Sequence, residues 1–235
     1  MTRFKSISFV FFLLIAVGAH GQYNDFGTWT ALTLSKDMPK GFDAKLKLQS
    51  RFNENLLERA SSMADMSLRY KLNDHFRLAA TYRIAQSRNL DESFDPRHRI
   101  ALDLLTSVEL GKVDLKWRCR YQLGDNNILA DEGADNRREA YRNKFSIERK
   151  VMKKTQGWMS YEFFSGYENG SLQWTDWRWK AGLERKIKKR HYVGVGFMVQ
   201  SERIGSNPLS DYVVLLSYDI DLKKFKKKKK EEAAN

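Results

Sequence analysis

Charged side chains recur at every second position along much of this 235-residue chain. Lys45, Lys47 and Arg51 do so in one stretch and Arg118 and Arg120 in another, with Arg69, Arg83, Arg99, Arg142 and Arg178 in equivalent places elsewhere. Fewer carboxylates share the pattern: Asp65, Asp103, Asp114, Glu148, Glu162 and Glu184. Side chains two apart in a strand lie on one face. Guanidinium and ammonium groups on such a face either pair with carboxylates or hold anions. Two uses follow: a scaffold of ion pairs filling an enclosed space, or the lining of an anion-preferring passage. The pattern leaves both open.

Catalysis is the competing chemistry. Apart from His20 in the N-terminal segment, the histidines are His75, His98 and His191. His75 and His191 fall in short turns. His98, with Ser50 and Ser87 also near strand ends, is the one candidate base for a Ser–His–acid lipid hydrolase. No spacing holds a metal, no glycine loop cradles phosphate, and no nucleophile elbow is present. Neither a metal nor a cofactor is expected, and an enzyme is the runner-up reading. Two acidic groups, Asp91, Glu92 and Asp95 and then Asp125, Asp131, Glu132 and Asp135, read as solvated loops, with cation bridging of lipopolysaccharide as the alternative. Trp174, Trp177 and Trp179 read as an interfacial girdle, with sugar stacking as the alternative. Cys119 stands alone, so it forms no internal disulfide and reads as apolar filler.

The elements that would position these residues are long alternating strands. In Val113–Leu123, Val113, Leu115, Trp117, Cys119, Tyr121 and Leu123 occupy one parity, and Asp114, Lys116, Arg118, Arg120 and Gln122 the other. Soluble strands usually run about 5–6 residues, whereas about 9–11 tilted residues cross a bilayer. Similar stretches recur to Leu222, separated by connections that alternate long and short, as in outer-membrane barrels. From the second strand on, the apolar parity carries only the charges Arg149 and Arg185. Both lie close to short turns, where long side chains snorkel to the interface. Phe52, Tyr141 and Tyr212 lie near long-loop ends, and Phe42, Tyr70 and Phe76 near short-turn ends, as interfacial rings should. The pattern predicts an all-β fold, an antiparallel up-and-down transmembrane β-barrel of ten to twelve strands. Eleven strands are countable. Twelve is preferred because bacterial single-chain barrels have even numbers. The first stretch, Tyr23–Lys36, is weak and ambiguous in parity. The soluble alternative is a β-sandwich or a periplasmic barrel binding an acidic small molecule.

The N-terminus reads as a cleaved signal peptide, residues 1–21. It has a basic start (Arg3, Lys5), an apolar run from Ile7 to Val17, and small residues Ala19 and Gly21 before the cut. The barrel is expected over 22–222, and a Lys-rich disordered periplasmic tail over 223–235. Losing Arg3 and Lys5 lowers the net charge from +13 to +11. An exported strand protein belongs in the outer membrane of a Gram-negative cell. Its expected partners are outer-membrane lipid, lipopolysaccharide and small anionic solutes. Nucleic acid is not expected despite the charge, because no nucleic-acid motif is present.

Several stretches resemble one known family. They are Trp29–Asn53 with its Arg51-Phe52-Asn53 end, the His98-Arg99 start of the fifth strand, Lys116-Trp117-Arg118-x-Arg120-Tyr121, and Tyr192–Val199. Together they resemble domain of unknown function 2490, of Bacteroidetes-type bacteria. The resemblance covers nearly the whole mature chain and implies an outer-membrane barrel. It carries no activity.

Overall fold

A computed structural model describes residues 24–53, 58–88, 94–125, 138–168, 171–202 and 209–222. The expected signal peptide and tail, and the loop residues Asp91, Glu92, Asp131, Glu132 and Asp135, lie outside them, as do the side chains of Asp95 and Asp125.

The strands are β1 (Asn24–Asp37), β2 (Phe42–Asn53), β3 (Glu58–Lys71), β4 (Phe76–Arg88), β5 (Phe94–Leu110), β6 (Val113–Asp125), β7 (Arg138–Met152), β8 (Thr155–Glu168), β9 (Ser171–Lys188), β10 (His191–Glu202) and β11 (Leu209–Asp221). They close into one barrel in the order β1-β11-β10-β9-β8-β7-β6-β5-β4-β3-β2. The transmembrane-type barrel is thus as expected, with eleven strands in place of the preferred twelve. Sequential neighbours pair antiparallel, but β1 and β11 pair in parallel, from Asn24↔Ser210 to Ser35↔Asp221. This corrects the purely antiparallel expectation. β1 starts at the long-connection end, as β11 does, so an odd number of strands brings two equally directed strands together. A parallel ladder satisfies both edges nearly as well as an antiparallel one.

Tight reversals set the lower rim. Gly111, at φ 63°, turns β5 into β6. The turns β7–β8 and β9–β10 place Lys154 (φ 65°) and Arg190 (φ 67°) in the left-handed region, where a side chain costs about 1 kcal/mol. Asn73 Oδ1 accepts the backbone N–H groups of His75 at 2.9 Å and Phe76 at 2.8 Å, which closes the turn between β3 and β4.

Register fixes the tilt. A hydrogen-bonded row from Trp29 through β2, β3 and β4 meets β5 at Asp95. The same row followed through β11 and on to β6 meets β5 at Glu109. Going round the barrel therefore displaces the row by 109 − 95 = 14 residues. For eleven strands this sets a tilt of roughly 40–45° and a wall radius of roughly 11 Å.

Alternation assigns the two faces. Leu68, Leu78, Leu102, Ile147, Leu183, Val195 and Leu216 are exposed on the outside. Their polar neighbours Thr81, Asp103, Arg120, Arg142, Glu162 and Arg178 are buried inside. Ring contacts border the outer apolar band. Tyr121–Tyr141, Tyr161–Trp177 and Phe197–Tyr212 lie towards the long-connection end, and Phe42–Tyr70, at 4.7 Å, towards the short turns. Arg149 and Arg185 are exposed at that lower rim. Strands of 12 to 18 residues are long enough to carry the outward apolar band of roughly 25 Å that a membrane barrel needs.

Candidate functional site: the charged interior

The inward parity of β2 to β9 brings the alternating charges into the lumen. Lys45, Lys47, Arg51, Arg69, Arg83, Arg99, Asp103, Asp114, Arg118, Arg120, Arg142, Glu148, Glu162, Arg178 and Glu184 all share it. Register pairs several of them directly. Asp65 faces Arg83, with Nε–Oδ1 at 2.5 Å and Nη2–Oδ2 at 2.7 Å. Asp103 faces Arg120 in the same two-pronged geometry, at 2.5 and 2.7 Å. Parallel N–H donors on both carboxylate oxygens make this the strongest common form of ion pair. Nearer the short turns, Asp43 pairs with Arg69. There Glu148 meets Lys116 at 2.6 Å and Gln156 at 2.6 Å.

Glu162 is the hub. It lies 3% exposed on β8. Arg142 reaches its Oε1 from β7, with Nη2 at 2.8 Å and Nε at 3.0 Å. Arg118 donates to the same oxygen from β6. Arg178 Nη1 on β9 lies 3.8 Å from Oε2. Gln122 accepts from Arg142 Nη1 at 3.2 Å, and Gln200 accepts from Arg178 Nε at 2.8 Å. Arg120 faces Arg142 across the ladder, and Arg118 faces Lys144. Like charges directly opposite repel, so these pairs coexist only because Asp103 and Glu162 stand beside them.

Aromatic rings cover this layer from within, which sequence reasoning missed. Trp29 on β1 carries Arg51 at 3.7 Å and reaches across the lumen to Arg178 and Lys180 on β9, both at 5.2 Å. Phe164 on β8 receives Arg142 at 4.4 Å and Arg178 at 4.9 Å. Trp158 packs over Gly182 and Gly196. Met198, wholly inaccessible, fills the adjacent wall. The available signal was Trp29, Trp158 and Phe164 on the polar parity, and Gly182, Gly194 and Gly196 together on two neighbouring strands.

Of the hydrolase candidates, Ser50 and His98 lie apart. His98 Nδ1 is bonded to the Tyr82 hydroxyl at 2.8 Å on the outer face. Ser50, on β2, is bonded to Ser62 at 3.4 Å and lies three strands from His98 on β5. The Ser87 side chain lies outside the described residues. Among the described residues no three His, Cys, Asp or Glu side chains are grouped to hold a metal ion. Trp174 and Trp177 take part in the outer ring contacts of the long-connection end, with Phe163 and Tyr161.

Comparison with solved structures finds a likeness of fold. A bacterial polysaccharide outer membrane secretin superposes with TM-score 0.51 at 8% identity, over 80% of this chain and 68% of that one. The beta domain of the Bordetella autotransporter BrkA gives TM-score 0.45 at 10% identity, over 78% and 85%. Identities this low speak for fold alone. No curated protein matches the sequence. A family model described as "Protein of unknown function (DUF2490)" matches residues 26–209, which span the wall from β1 to the start of β11. The chain belongs to that family, DUF2490.

Proposed function

We propose that this barrel resides in the outer membrane of a Gram-negative cell as a non-catalytic protein whose lumen is closed at rest by an ion-paired waist. Its partners are outer-membrane lipid and lipopolysaccharide, and any passage it opens favours small anions. The outward apolar band bounded by rings supports the location. One observation carries the closed waist. Glu162 is 3% exposed and Arg142 is 7% exposed, although both point into the lumen. A water column beside them would leave them accessible. Phe164, under Arg142 and Arg178, and Trp29, which also meets Arg178, supply the bulk that excludes it.

The test is single-protein recording in planar bilayers. The wild type is expected to show no steady conductance. The double variant Trp29→Ala/Phe164→Ala, shown to be folded by heat-modifiable gel migration, is expected to conduct with anion preference. Steady conductance in the wild type, silence of the folded variant, or cation preference would each remove the proposal.

A further inference from the structure

Below the waist lies a set of cations with no carboxylate of their own. Lys47 on β2, Lys144 on β7 and Lys180 on β9 point into the lumen and are enclosed by the wall. Lys144 and Lys180 flank β8, opposite Glu162 and Ser160 in register, and Lys47 stands on β2 on the far side of the barrel. Among the described residues, none of the three has a carboxylate oxygen within 4.0 Å. Their nearest acids are already taken. Lys47 faces Asp65 in register, but Arg83 occupies both Asp65 oxygens. Lys144 faces Glu162, which holds Arg118, Arg142 and Arg178. Lys180 lies over the Trp29 ring at 5.2 Å. Arg118, beside Lys144, also has a buried Nε without a hydrogen-bond partner.

The three lysines keep partial exposure, whereas Glu162, Arg142 and Arg178 above them are buried. Confined like charges repel strongly because the surrounding wall is poorly polarisable. A bound anion relieves that repulsion. An ammonium is a compact point charge that suits phosphate-type oxygens, and an orphaned guanidinium N–H adds a directed donor.

Resting on the closed-waist reading, we propose that the chamber lined by Lys47, Lys144, Lys180 and the free Arg118 Nε is a binding site for a soluble multivalent oxyanion of the phosphate class. The ligand enters from the short-turn mouth and is stopped by the Glu162 layer. The wall is hydrogen-bonded all round, including its β1–β11 seam, so a lipid phosphate could not bring its chains through it.

The experiment uses the full mature chain in a phosphate-free non-ionic detergent, with inorganic pyrophosphate as probe and sodium chloride at equal ionic strength as reference. Pyrophosphate at millimolar concentration is expected to raise the wild-type melting temperature by about 3–5 °C over the reference. In Lys144→Gln/Lys180→Gln the shift is expected to fall below about 1 °C, while the ligand-free variant melts no lower than wild type because a repulsion has been removed. An unchanged wild-type melting temperature, or a full shift in the variant, would overturn the site; the second would assign the effect to surface lysines. A second arm adds phosphatidylglycerol to the micelle, and stabilisation found only there would also overturn it. Conductance separates the two proposals. A silent barrel with no pyrophosphate shift loses the site alone. A conducting barrel that keeps the shift loses the closed waist alone.

Discussion

Trp158 packs inside the wall so closely over Gly182 that a β-carbon built there would meet the indole Cζ2 at 2.6 Å. The same β-carbon would come within 2.5 Å of the Val195 carbonyl oxygen and 2.8 Å of the Gly196 Cα. Gly196 is nearly as tight, with the indole at 3.0 Å. Indole and glycines are therefore mutually required.

Gly182→Ala is expected to lower unfolding stability by about 1–3 kcal/mol, as overpacking does. Trp158→Ala is expected to cost about 3–5 kcal/mol through the cavity it leaves. If the indole is what the new methyl strikes, the double variant costs less than the two added together by about 1 kcal/mol. Urea titration in detergent micelles measures all three. Simple additivity would mean that the clash lies with backbone alone.

Glu162 offers a sharper energetic test, because one carboxylate serves Arg118, Arg142 and Arg178. Glu162→Gln keeps the shape but leaves three guanidinium groups facing one another. Breaking a buried ion pair in this way costs about 3–5 kcal/mol. Adding Arg142→Met should restore part of the loss, since it removes one of the stranded charges. The pair is measured by the denaturant midpoint of the folded band. If Glu162→Gln is as stable as wild type, the hub does not hold the waist together.

The wall was legible residue by residue because membrane burial on one face enforces strict alternation. A slip of one position would put Arg83 or Arg120 in hydrocarbon, so the parity of β2 to β11 reads directly from the chain. Closure was not legible. Thr28, Trp29, Thr30, Ala31, Leu32 and Thr33 carry no charge, so β1 shows no preferred face, and its parallel pairing with β11 depends on residues almost two hundred positions away. The ion-pair partners were half legible. The sequence named Arg142 and Glu162, but only the register between β6, β7 and β8 puts Arg118 on the same carboxylate. Lys144 and Lys180 share the parity of the other lumenal charges, and whether a neighbouring acid is already occupied is a property of three strands at once.

His98 provides a test of the non-catalytic reading. Its Nδ1 holds the Tyr82 hydroxyl at 2.8 Å, on the outer face near the long-connection end. A tyrosine hydroxyl in that place fixes the ring but does not supply the carboxylate that a hydrolytic triad needs. Phospholipid release by the wild type in mixed micelles is expected to stay at the level of a protein-free control, with His98→Ala the same. Turnover that is present in the wild type and lost in His98→Ala would make the protein an enzyme.

The outward apolar band makes a depth-dependent prediction that separates a membrane wall from a soluble barrel. Leu68 lies near mid-band on β3 and is 48% exposed. Leu110 lies at the short-turn rim of β5 and is 58% exposed. In water both positions would tolerate arginine about equally, since both are open surface. In a bilayer, a guanidinium at mid-depth costs about 2–4 kcal/mol and one near the interface about 0–1 kcal/mol. Leu68→Arg should therefore lose several times more stability than Leu110→Arg when the barrel is unfolded from lipid vesicles. The gap should shrink in short-chain detergent, where solvent reaches the wall more easily. Equal costs in vesicles would mean that Leu68 does not meet hydrocarbon, and the band would then have to be covered by another protein.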